Sequence, residues 1–141
     1  PNWFLNDWPD SRSSAALEAA ATEYACQGLE LDVEGVAWGG DLIRARGAWH
    51  PRKFSGDAWQ AVGKAEIRAF IVNKYRVLLT RARYETVIWV PPGCARADEW
   101  HDPTRPAAEM DAIAAFLLRC GARPLEPAPA EAPTAQPALL P

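Results

Sequence analysis

The chain has 141 residues and a formal net charge of −3 at neutral pH. That length suffices for one domain with a real core. The charge excludes a generally basic nucleic-acid binder, so any contact with a polyanion must be local or shared with another lobe. The three cysteines form no Cys-x-x-Cys pair, and the two histidines have no cysteine at ligand spacing. This pattern argues against a disulfide framework and a zinc module, and for a reducing, cytoplasmic setting. No apolar run approaches a membrane span. The start, Pro1-Asn2-Trp3-Phe4, lacks the basic region and apolar stretch of a signal peptide. It begins with Pro rather than Met, which reads as a fragment or a processed product.

In chain order, residues 1–14 form an irregular N-terminal segment anchored by aromatics. Leu17 to Thr22 is a short apolar run readable as a strand. Tyr24 to Leu29 is a turn or a short helix closed by Gly28. Val33 to Trp38 alternates and stops at Gly39-Gly40, giving a second strand. Asp41 to Trp49 reads as a hairpin turning at Gly47, and His50 to Gly63 as polar and irregular. From Lys64 to Arg83, Ile67, Phe70, Ile71, Lys74, Tyr75, Leu78 and Leu79 recur at helical spacing. Thr86 to Val90 is the clearest strand, expected to be buried on both faces and stopped by Pro91-Pro92-Gly93. Pro106 to Cys120 is a second amphipathic helix ended by Gly121. Residues 15–123 therefore make an α/β domain with a mainly parallel sheet flanked by helices. Residues 124–141 are dominated by Pro and Ala and are expected to be a disordered tail.

Two segments carry chemistry. In Ala21 to Asp32, a glycine after Gln27 lets the backbone approach a phosphate, and Glu30 can accept from a sugar hydroxyl. A strand–turn–strand with solvated carboxylates, and Asp32 as a structural turn residue, is the plainer reading of those residues alone. In Tyr75 to Arg83, Arg76, Arg81 and Arg83 bring planar, permanently charged forks suited to phosphate to the end of an apolar helix. Cations at a helix C-terminus also favour its dipole, which accounts for them equally well. Trp38, Trp49 and Trp59 could stack bases, but aromatics at such positions are mainly core and interface residues.

Taken together, Thr22-Glu23-Tyr24-Ala25-Cys26-Gln27-Gly28-Leu29-Glu30 and Tyr75-Arg76-Val77-Leu78-Leu79-Thr80-Arg81-Ala82-Arg83 resemble motifs V and VI of superfamily 1 helicases. The wider context includes Val36-Ala37-Trp38-Gly39-Gly40-Asp41-Leu42, Val90-Pro91-Pro92-Gly93, Asp102 to Pro106 and Leu118 to Gly121. It is similar to the C-terminal portion of the Schlafen group 3-like DNA/RNA helicase domain family, from about Trp3 to Leu125. The resemblance implies a partial RecA-like second lobe of the P-loop NTPase type. It implies Arg81 as the arginine finger at the γ-phosphate of ATP. It further implies Gln27, Gly28, Glu30 and Arg83 in the nucleotide cleft, and Thr22 near the backbone of a bound single strand of DNA or RNA. Glu85 is the other candidate partner for Arg83. Tyr24 replaces a His common among relatives and receives no role.

A motor of this kind also needs a phosphate-cradling loop with its Lys, and a carboxylate for Mg²⁺. The nearest stretch, Ala58 to Ala65, has Ala where the loop requires its first Gly and its final Ser or Thr. The chain is therefore expected to be inactive alone, binding ATP and Mg²⁺ only with a first RecA-like lobe, upstream or on a separate subunit. The alternative is a non-catalytic remnant that binds nucleic acid or protein.

Overall fold

The computed structural model describes residues 2–97 and 99–125. The tail expected from residue 124 lies, from residue 126 onward, outside the described residues. The described elements run α1 (Asn2–Leu5), a 3₁₀ turn (Ser14–Ala16), β1 (Leu31–Ala37), β2 (Leu42–Ala45), β3 (Ala48–Ser55), β4 (Ala58–Ala61), α2 (Ala65–Leu78), β5 (Ala82–Trp89) and α3 (Ala107–Arg119). The class is α/β. β1 and β5 pair in parallel, while β2, β3 and β4 form an antiparallel sheet between them in sequence.

Leu17 to Thr22 forms no strand. It leaves the 3₁₀ turn through Leu17 in the left-handed region (φ 58°) and runs on through Ala19, Ala20 and Ala21. Three alanines offer a ladder little to pack, so the β-propensity of this run is poor. β1 instead starts at Leu31, which places Asp32 in a strand rather than a turn. Along β1, Glu34 and Val36 point inward while Val33, Gly35 and Ala37 are exposed, the period-2 pattern of a half-buried strand.

The stretch 50–63 is ordered, against the expectation of irregular chain. β3 pairs with β2 from Ala48 to Pro51 and with β4 from Arg52 to Ser55. Pro51 sits where β3 changes partners, which is how a proline is tolerated in the middle strand of a sheet. The β3–β4 turn uses Gly56 (φ 66°), and Phe54 stands directly opposite Trp59.

α2 is shorter than the sequence periodicity suggests, and only Ile71 and Tyr75 on it are fully buried. Ile67 and Phe70 stay partly exposed, with Phe70 stacked on Tyr24. α3 ends in a Schellman arrangement: Gly121 N–H donates to Leu118 O and Ala122 N–H to Leu117 O, with Gly121 at φ 103°. β5 begins at Ala82, earlier than expected, and is not buried on both faces, since Tyr84, Glu85 and Trp89 are exposed. A two-stranded sheet gives β5 no ladder neighbour on its far edge among the described residues.

The core lies between the helices and both sheets. Trp38, Leu42, Ile43, Val62, Ile71, Tyr75, Met110 and Ile113 form one buried cluster, edged by Trp49, Ile88 and Leu117. Trp38 stacks against Trp49 and Tyr75 and donates its Nε1–H to Leu42 O at 2.9 Å. Trp49 meets Phe116 edge-on, and Trp59 Nε1–H donates to Thr104 O at 3.0 Å. All three tryptophans are therefore packing residues.

Candidate nucleotide cleft at the start of the parallel strands

The segment before β1 is held by its own backbone. Thr22 O accepts from the Ala25 and Cys26 amides at 2.9 and 3.2 Å, and Thr22 Oγ1 also accepts from the Ala25 amide at 3.4 Å. Gly28 turns the chain at φ 80° with open space where a Cβ would stand. That conformation costs a residue with a side chain about 1–2 kcal/mol, so the glycine serves the turn itself. Gln27, Gly28 and Glu30 are exposed on it.

The other segment closes α2. A helix C-terminus leaves carbonyls without intrahelical partners. Here the Leu79 amide takes Tyr75 O at 2.9 Å, the Thr80 hydroxyl takes Arg76 O at 2.8 Å, and Arg81 Nε–H takes Val77 O at 3.2 Å. Thr80 and Arg81 thus terminate the helix as well as carrying the motif.

Because β1 and β5 are parallel, the chain entering each strand arrives at the same end of the sheet. Leu31 N–H donates to Arg81 O at 3.0 Å, and Arg81 Nη1–H donates to Leu29 O at 3.3 Å. Arg83 and Glu30, 53 residues apart in sequence, form an ion pair at 2.7 Å through Nη2 and Oε2, and Nε–H adds a second bond at 3.0 Å. Arg83 thus pairs with Glu30, not Glu85. The Arg83 hydrogen bonds and charge hold the Glu30 carboxyl below its usual range. Both side chains are exposed, so solvent screens most of the energy. Arg81 commits two of its five N–H donors to the carbonyls of Val77 and Leu29.

Beneath this junction lies a carboxyl that the sequence reading passed over. Glu34 is 6% exposed, and its Oε2 has no partner among the described residues. Burial pushes its pKa above the usual carboxylate value, and the Arg81 amide and charge pull partly against that rise. Cys26, also buried, is raised by desolvation first and by the nearby Glu34 charge second. The alternation of β1, which puts position 34 on the face of Val36, was the available signal for Glu34.

This carboxyl has a pH signature. A folded-state pKa above the unfolded one means that Glu34 contributes full stability below the unfolded value, and that the contribution falls as pH rises through the folded value. Glu34→Gln removes that dependence. The variant is expected to gain stability relative to the parent as pH rises above the ordinary carboxylate range. Urea unfolding at several pH values checks this; a pH-independent difference would refute the assignment.

A cleft of about 920 Å³ runs beside the junction. Its lining includes Thr22, Cys26, Glu30, Glu34, Asp41, Lys74 and Tyr75. Gln27, Gly28, Arg81 and Arg83 are not in its lining; they stand at the Glu30 end. A larger concavity of about 1010 Å³ follows β5 and α3 and includes no residue of either motif. The stretch Ala58 to Ala65 runs from β4 through Val62-Gly63-Lys64 into α2. A strand feeds a helix there, but only three residues join them, too few for a phosphate cradle. His50 and His101 bond main-chain carbonyls of Ala45 and Ala95. The cysteines are free, and no described helix is long and apolar enough to cross a membrane.

No curated protein and no solved structure matches this chain. A family model described as "Schlafen group 3, DNA/RNA helicase domain" matches residues 1–92, from the N-terminal segment through both motifs and β5. The match stops before Asp102 to Pro106 and Leu118 to Gly121, which the sequence reading had drawn into the same resemblance. Two motifs that meet at one end of a parallel strand pair, inside a match covering well over half of the sequence, settle the family: the chain belongs to the Schlafen group 3 DNA/RNA helicase domain family.

Proposed function

We propose that the chain supplies the second RecA-like lobe of an ATP-dependent DNA/RNA helicase or translocase. In this reading Arg81 is the arginine finger, and Gln27, Gly28, Glu30 and Arg83 bind the nucleotide at the Glu30 end of the cleft. Thr22 contacts the backbone of a single strand. ATP and Mg²⁺ are held mainly by a first lobe, which brings the phosphate loop and metal carboxylate absent from this sequence. The setting is cytoplasmic. The observation that carries the proposal is the meeting of residues 27–30 with residues 80–83. Arg81 and Arg83 stand beside a glycine turn and a carboxylate contributed from more than fifty positions away.

Arginine forks and a free glycine backbone suit the charge that spreads over a transferring phosphoryl group. Both Arg83 bonds go to Oε2 of Glu30, so its Oε1 can accept from a ribose hydroxyl with the ion pair intact. Steady-state ATP turnover by this chain, with and without a first lobe, tests the proposal. The expected result is no turnover alone and nucleic-acid-stimulated turnover in the pair; turnover by the isolated chain would refute it. An intact mass of the native protein several hundred residues long would identify the first lobe as part of the same polypeptide.

A further inference from the structure

We infer that the open edge of β1 is the docking site for a β-strand of a partner polypeptide, with an arginine or lysine of that strand placed opposite Glu34. The inference goes beyond the helicase reading and does not depend on it.

The edge is open in the plane of the sheet. Among the described residues β1 pairs only with β5. In a parallel ladder one residue turns both its N–H and its C=O to one neighbour, and the next residue turns both away. Trp38 N–H donates to Trp89 O at 2.8 Å, so the main-chain groups of Trp38, Val36 and Glu34 face β5. Those of Val33, Gly35 and Ala37 face the opposite edge, and all three residues are exposed. Such a row of N–H and C=O groups is a template for another strand.

The space beside it is walled. Every residue of β1 lines the cleft of about 920 Å³, and so do Ala19, Ala20 and Ala21 of the N-terminal segment. Trp3 Nε1–H donates to Ala19 O at 2.8 Å, which ties that segment down. Its alanines leave the room to incoming side chains. Gln27, Gly28, Arg81 and Arg83 lie outside this lining, so an added strand leaves them free.

Charge says what the strand carries. The lining holds Glu23, Glu30, Asp32, Glu34 and Asp41 against one cation, Lys74. Arg83 neutralises Glu30, and Lys74 neutralises Asp41. Glu23, Asp32 and Glu34 join no ion pair among the described residues. Glu34, the central residue of β1, is 6% exposed, and its Oε2 has no partner there. A buried polar atom without a partner is costly and rare. The residue opposite Glu34 on an added strand lies about 4.8 Å away, with its side chain on the same face. A guanidinium or ammonium at that place gives Oε2 its donor and balances the cleft. The open edge of β5 has no such marker, since its concavity holds one charge of each sign, Glu85 and Arg123.

The test is titration of the isotope-labelled full chain with a capped peptide as long as β1, alternating threonine and valine around a central arginine. Saturable binding that slows amide exchange at Val33, Gly35 and Ala37 is the expected result. Two further peptides are N-methylated at alternate residues, one in each phase. The form methylated on the edge toward β1 is expected to lose binding and the other to keep it; retention by both overturns strand pairing. Glu34→Gln is expected to weaken the arginine peptide about tenfold and to leave a peptide with alanine in place of the arginine unchanged. Equal effects on the two peptides overturn the basic partner. Absence of binding, or binding without protection of those three amides, overturns the site. Protection that rises with protein concentration in the absence of peptide assigns the edge to a second copy of this chain and overturns the partner strand. ATP turnover is a separate readout, so each of these outcomes leaves the helicase reading to its own test.

Discussion

Arg81→Ala, assayed in the protein together with its first lobe, is expected to lower kcat for ATP by about 10³–10⁵-fold while KM for ATP changes little. An arginine finger acts on charge that appears in the transition state, so its loss reads in kcat rather than in ground-state binding. The side chain also has a structural duty, since its Nε–H and Nη1–H satisfy Val77 O and Leu29 O. Losing those bonds costs about 1 kcal/mol each, and Thr80 and Leu79 still satisfy the neighbouring carbonyls of α2. The variant should therefore fold, with a modest drop in unfolding midpoint. Arg81→Lys discriminates further: it keeps the charge and loses the planar fork. A finger that works by bidentate geometry leaves Arg81→Lys nearly as slow as Arg81→Ala. Normal turnover by a folded Arg81→Ala protein would remove the site assignment, and the non-catalytic alternative would become the better reading.

The two motifs were legible in the sequence because their residue types are demanding. A glycine after Gln27 and arginines in a Thr-Arg-Ala-Arg run have few reasons to occur together in that order. Their contact was not legible, since the Arg83–Glu30 pair depends on a parallel register between β1 and β5 that spacing alone does not give. Helix α2 was found by its periodicity, but its end was overestimated. Thr80 and Arg81 continue the apolar-then-basic pattern of a helix while their side chains stop it. β4 was missed because Pro51 and the polar run around Gly56 look like loop. The ladder survives them by handing β3 from one partner to the other at the proline. Asp41 could be read as the start of a hairpin and as part of the family resemblance, but not as the centre of a buried network, since its side-chain partners lie more than thirty positions downstream.

Asp41→Ala is expected to be among the most destabilising single changes away from the apolar core, at about 3 kcal/mol. Asp41 Oδ1 accepts from the Tyr75 hydroxyl at 2.6 Å, and that hydroxyl accepts from the Gly39 amide at 3.0 Å. Its Oδ2 pairs with Lys74, and both side chains are only 17% exposed. Burial and then the Asp41 charge push the Tyr75 phenol far above its usual pKa, so it remains a donor at any physiological pH. Removing the carboxylate leaves an ammonium mostly out of water without a partner and a buried phenol without an acceptor, the costly half of a broken buried pair. Total stabilities of small domains are only about 5–15 kcal/mol, so the urea midpoint should fall steeply. Lys74→Met alone is expected to cost less, because Asp41 keeps the Tyr75 hydroxyl. The double variant should be more stable than the sum of the singles predicts, with a coupling of about 1–3 kcal/mol. Additive losses would mean that the two charges do not depend on each other. The network joins the β1–β2 connection to α2, the helix whose last turn delivers Thr80 and Arg81. Asp41→Ala in the assembled motor is therefore also expected to lower kcat, by loosening the turn that holds the arginine, whereas an exposed change such as Glu66→Ala on the first turn of α2 should leave turnover unchanged.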